Sequence, residues 1–108
     1  MENQDLYIQI GRALMEDSLG ASHFDDEELE NIGRRWYSQK LQKLRKLICE
    51  NENTIAYIQE NKNNKRMQVV AALADLILGV VGVVPPTTVS LLIINQGLDE
   101  LCSEVNNA

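Results

Sequence analysis

Histidine, proline, cysteine and aromatic residues are all scarce in this 108-residue chain, which has one histidine, two prolines, two cysteines and 5% aromatics. His23 stands beside Phe24 with no nucleophile near it in sequence, so it reads as a loop or capping residue. No Gly-rich phosphate loop, Ser-His-Asp set, zinc spacing or dinucleotide fingerprint is present. With no nucleophile–base pair to name, neither an enzyme nor a cofactor is expected. Cys49 and Cys102 lack Cys-x-x-Cys spacing, and two lone cysteines suit a reducing compartment better than a secreted disulfide framework. The first five residues, Met1, Glu2, Asn3, Gln4 and Asp5, are acidic and polar, unlike a signal or transit peptide. The expected address is cytoplasmic.

Long linkers, internal repeats and low-complexity tracts are missing too. A charged share of 24% and a hydrophobic share of 44% exclude wholesale disorder and collagen-like sequence. Residues 1–108 are therefore expected to form a single helical domain around one core, with a charged part (1–66) and an apolar part (67–108).

No basic residue follows position 66, and the charge is segregated along the chain. Residues 1–33 carry nine acids and Arg12, net −8; residues 34–66 carry nine bases and three acids, net +6; residues 67–108 carry four acids, net −4. The whole is −6. The basic block is expected to meet the acidic one, within the chain or between chains.

What is present is helical periodicity. Leu6, Ile10, Ala13 and Leu14 mark a short helix over residues 4–17, which Gly11 weakens by about 1 kcal/mol relative to alanine. A break follows at residues 18–22. A second helix opens at Asp25 or Asp26, where Glu27 or Glu28 lies within the first turn and the acids favour the positive helix end. Five acids in six residues lack the alternating ligands and glycine turn of a calcium loop, so no metal is expected. Tyr37, Leu41, Leu44, Ile48, Ile55 and Ile58 continue the stripe, with Asn51 in the remaining seam position. The stripe resembles a short coiled coil whose polar residue fixes register, but it is too short for a free one. A bundle face with a break at residues 51–54 is the expected form.

Residues 67–94 are the most apolar stretch. Pro85 and Pro86 cannot sit inside an undisturbed helix, because each lacks a donor and its ring clashes with the preceding turn. A helical hairpin is expected, with Pro86 in the first turn of its second arm and Thr87 or Thr88 as the cap. The first arm has a stripe of Met67, Val70, Ala74, Ile77 and Val81. A seam of Gln68, Ala72, Asp75, Gly79 and Gly82 lies about 100° round the helix. The second arm aligns Leu91, Ile94, Leu98, Leu101 and Val105. Asp75 is costly in an apolar helix unless paired or wet, so its seam is expected to meet a helix bearing a donor or to border water.

The fold class expected is all-α, a bundle of four or five helices with a C-terminal apolar hairpin. The function expected is a small non-enzymatic interaction protein: an adaptor, inhibitor or regulatory subunit. It would self-associate or dock on a protein partner through Met67, Val70, Ile77, Val81, Leu91, Ile94, Leu98 and Leu101, with charged or polar contacts from Arg34, Arg35, Lys43, Lys46 and Asp75. One alternative is a membrane protein with a span or re-entrant hairpin at 67–94. The bases Lys62, Lys65 and Arg66 before it would hold the N-terminal region in the cytoplasm. Against this, Asp75 costs about 2.5–3.5 kcal/mol at a bilayer centre. Another alternative is nucleic-acid binding by the basic helix 34–46, beside Trp36 and Tyr37. The net charge and the absence of a recognition motif weigh against it.

Overall fold

The structure, a computed structural model, describes residues 2–18, 24–61 and 66–106. They form α1 (Asn3–Ser18), α2 (Asp26–Cys49), α3 (Glu52–Asn61), α4 (Arg66–Val81), α5 (Pro86–Gln96) and α6 (Leu98–Asn106), with no strand among the described residues. The all-α bundle is as the periodicity predicts, but six helices replace the expected four or five. His23, Lys62 and Lys65 lie outside the described residues, as does the side chain of Val105.

Two breaks set the number of helices: one at residues 51–54, where the stripe already places it, and one at Gly97, which the spacing does not indicate. Asn51 separates α2 from α3, and its Oδ1 accepts a hydrogen bond from the Thr54 N–H at 3.0 Å. It therefore caps a helix and does not sit in a continuous seam fixing register. Gly97, at φ +93°, ends α5 and starts α6, so the line from Leu91 to Leu101 does not run along one helix. The face of α5 that is buried carries Val89, Leu92 and Ile93. Leu91 and Ile94 at its edge, and Leu98 at the start of α6, are only half-buried.

Local chemistry explains the other ends. Asp25 caps α2 through a complete capping box with Glu28. Each residue satisfies a backbone N–H that the first turn leaves without a partner. Gly82, at φ +60°, follows the end of α4 in the left-handed conformation that glycine adopts without strain. Pro86 opens α5 as expected, with Pro85 in the cap position, but neither threonine caps it. Thr88 is buried, and its hydroxyl donates instead to Gln9 Oε1 of α1 at 3.1 Å.

α1 packs chiefly on α2, and α4 on α5. The core between them holds Leu6 and Ile10 from α1, Leu44 and Ile48 from α2, Leu73 and Ile77 from α4, and Leu92 and Ile93 from α5. The stripe Tyr37, Leu44, Ile48 and Ile58 is buried as its spacing predicts. α6 folds back on α2 and α5. Its Leu101 is fully buried, and the Leu101 carbonyl accepts from Arg45 Nε at 3.1 Å.

That return brings Cys49 and Cys102 together in a disulfide, Cα to Cα 5.6 Å, across 53 positions of sequence. The expectation of two separate thiols is thereby corrected. Spacing along the chain carries no information about a pairing made by tertiary folding.

Candidate interaction face

α4 is apolar nearly all round, and the bundle covers only part of it. Val69, Val70, Leu73, Ile77 and Val81 point inward and are buried. The outward side carries Met67 at 78% exposure and Leu78 at 60%, with exposed Ala71 and Gly79 between and beside them. Val83, in the turn beyond, is 54% exposed. Met67, Ala71 and Leu78 fall within about 40° of one another round the helix, a single line about three turns long. Gly79 and Gly82 have open space where a side chain would stand.

Most of the residues expected to form a docking surface do something else. Val70, Ile77, Val81 and Leu101 are buried and hold the bundle together. Of the eight hairpin positions, Met67 alone is exposed; Leu91, Ile94 and Leu98 are half-buried. Leu78 was not among the expected residues. Its signal was its place eleven residues after Met67, almost in line with it and off the Val70–Ile77 stripe. Asp75 is exposed on the same outward side. Of the two environments expected for it, water is the one found: Asp75, Gly79 and Gly82 face solvent, while Ala72 is half-buried and Gln68 meets the Tyr57 hydroxyl of α3.

The charged residues divide. Arg34 Nε meets Glu30 Oε2 at 2.7 Å one turn away, and its guanidinium lies 4.4 Å from the centre of the Tyr7 ring. Arg12 reaches Asp26 at 3.8 Å, joining α1 to α2. Arg35, Lys43 and Lys46 are exposed along α2. Trp36 is half-buried against the core, where it packs and does not stand out as a stacking platform. Exposed ion pairs of this kind contribute little, about 0–1 kcal/mol each.

Elsewhere the surface offers little chemistry. A cleft of about 590 Å³ has an apolar floor of Ile58, Val69, Ile94 and Leu98, with Arg66, Asp99 and Glu100 at its rim. Its lining places no nucleophile beside a base. Among the described residues no group of three or more His, Cys, Asp or Glu side chains is placed to hold a metal. Burial first, and Tyr7 second, push the Tyr37 phenol up to about 12 against the pull of Arg45. It stays protonated and donates to Gln96 Oε1 at 3.2 Å, linking α2 to α5. Its setting is structural.

Among the described residues no single helix is long and apolar enough to cross a membrane, although α4 and α5 together pass by length and composition with a bend of 116° between them. Comparison with protein-family models, with curated proteins and with solved structures finds no match. The functional reading rests on the fold and on the outward face of α4.

Proposed function

We propose that this chain is a small non-enzymatic interaction protein that associates through the outward side of α4, either with itself or with a protein partner. One observation carries the reading. A three-turn line of exposed apolar side chains, Met67 to Leu78, stands in a molecule whose longest described helix, α2, lines its exposed face with charge. Water-exposed apolar surface of this kind is costly to keep and commonly marks an interface. The Cys49–Cys102 bond favours an oxidising setting over the reducing compartment that cysteine spacing suggested.

The membrane reading is less well supported, because Val70, Leu73, Ile77, Leu92 and Ile93 are already spent on the core. A span would have to unpack them. Nucleic-acid binding is weaker still, with Arg34 engaged by Glu30 and Tyr7 and with a net charge of −6.

The test is density-gradient sedimentation of the tagged chain in extracts of the cells that express it, compared with Leu78→Lys. The expected result is a species larger than a monomer that the substitution returns to monomer size. Monomer-sized migration of both proteins in extracts, together with a purified wild-type chain that stays monomeric well above about 100 μM, overturns the proposal.

A further inference from the structure

The outward face of α4 is self-complementary when turned end over end, and we infer that it pairs with α4 of a second copy in antiparallel fashion about a two-fold axis. The inference rests on the reading of this face as an interface and names its occupant. In an isologous contact residue i meets j and j meets i, so a face must match its own reverse. Centring the axis between Ala71 and Ala74 sets Met67 of one copy against Leu78 of the other, at both ends. The two alanines oppose each other in the middle, where small side chains let helices approach closely.

Size matches at the ends. Beyond Leu78 come Gly79 and Gly82, each with nothing within 4 Å of where a side chain would stand, and then the exposed Val83. The unbranched Met67 side chain of the second copy fits that hollow, as a flexible thioether fits irregular gaps. A parallel pair would instead stack Met67 on Met67 and leave the glycine ends empty. Polar groups match as well. On one flank the reversal brings Gln68 of each copy within about 3 Å along the axis of Asp75 of the other. Gln68 Oε1 lies 3.5 Å from the Tyr57 hydroxyl, which donates to it, and the amide end of the same side chain carries the donors that a carboxylate accepts.

The footprint is about 16 Å by 10 Å, three helical turns. That is well below the roughly 800 Å² per partner of a standard interface, so the pairing is expected to be weak and transient and is sought at concentrations of about 100 μM and above. Sedimentation equilibrium of the purified wild-type chain tests the pairing, with Met67→Cys and Leu78→Cys examined singly and mixed. Both positions are exposed, so neither change touches the core, and the native disulfide leaves one free thiol in each. In the antiparallel pair like positions are about 16 Å apart along the axis. The mixture should therefore cross-link at least fivefold more than either variant alone under mild oxidation. Gln68→Glu should weaken dimerisation at least threefold, and adding Asp75→Lys should restore it. Homodisulfides dominating in either single variant, or a Gln68→Glu loss that Asp75→Lys does not reverse, overturn the geometry. A wild-type chain that stays monomeric well above 100 μM overturns the dimer. If the species in extracts is nevertheless larger and sensitive to Leu78→Lys, the interaction reading stands with a different partner.

Discussion

Gly11 and Gly33 face each other's helices at the α1–α2 crossing, each lying directly on the other's backbone. A methyl group on Gly11 would overlap the Leu29 carbonyl, and one on Gly33 would overlap the Tyr7 carbonyl. The arrangement is reciprocal, since Tyr7 and Leu29 each stand one turn before the glycine of their own helix. The two helices meet backbone to backbone because these two positions carry no side chain.

Gly11→Ala and Gly33→Ala therefore set two effects against each other. Alanine improves helix propensity by about 1 kcal/mol. Over-packing costs about 1–3 kcal/mol, and the obstacle here is backbone, which cannot rotate away as a side chain can. Each variant is expected to lose about 2 kcal/mol in urea unfolding. The double variant should lose less than the sum, because the first methyl already spreads the helices. An alanine variant as stable as the wild type would show that the crossing is looser than described.

The Cys49–Cys102 bond closes a loop of 53 positions. Chain entropy assigns such a loop about 4 kcal/mol of stabilisation. α6 has nine residues, too few to be a stable helix alone, and Leu101 is its one buried side chain among those described. Reduction, or Cys49→Ser with Cys102→Ser, is expected to lower stability by about that amount, with amide exchange in α6 rising first. Alkylation of the unreduced, unfolded chain followed by mass spectrometry checks the premise directly: no thiol should react.

Alkali probes the α2–α5 link. The Tyr37 phenol is raised from 10.0 to about 12, so the folded state holds its proton more tightly than the unfolded chain does. For a group raised on folding, the stabilisation is complete below the unfolded value and is lost as pH climbs through the folded one. Stability should thus fall between about pH 10 and pH 12, by up to about 2–3 kcal/mol. Tyr37→Phe forfeits the hydrogen bond to Gln96, about 1 kcal/mol at neutral pH. It should flatten the fall above pH 10 and remove the late phase of phenolate absorbance.

Features made within one helix were legible in the sequence, and features made between helices were not. The buried stripe of Tyr37, Leu44, Ile48 and Ile58, the capping box of Asp25 and Glu28, and the corner at Pro85 and Pro86 each depend on neighbours a few residues away. Gly11 looked like a local weakness because propensity registers its cost and not the Leu29 backbone it accommodates. The Cys49–Cys102 pairing depends on α6 folding back, which no spacing encodes. The candidate face was half legible. Its helix was identified, but an element apolar nearly all round does not declare which side its neighbours cover. Periodicity alone therefore does not separate Val70 and Ile77, which the bundle covers, from Leu78, which it leaves exposed.

Asn51 shows how one residue separates two readings of the same stripe. It occupies a seam position between Ile48 and Ile55, where a coiled coil would use it to fix register at a cost in stability. On that reading Asn51→Leu strengthens a continuous helix. In the structure the chain breaks there, and Asn51 Oδ1 accepts from the Thr54 N–H while its carbonyl accepts from Ile55 at 3.1 Å. Leucine retains the carbonyl but lacks the side-chain acceptor, so Asn51→Leu should cost about 1 kcal/mol, the usual loss of an N-cap, while Asn51→Asp or Asn51→Ser should be nearly neutral. Urea unfolding of the three variants decides the matter. The helical signal in circular dichroism adds a second criterion, since a cap variant frays α3 and lowers it. A register variant fuses α2 with α3 and raises it. A more stable, more helical Asn51→Leu would mean that the break between α2 and α3 is not where this molecule puts its turn.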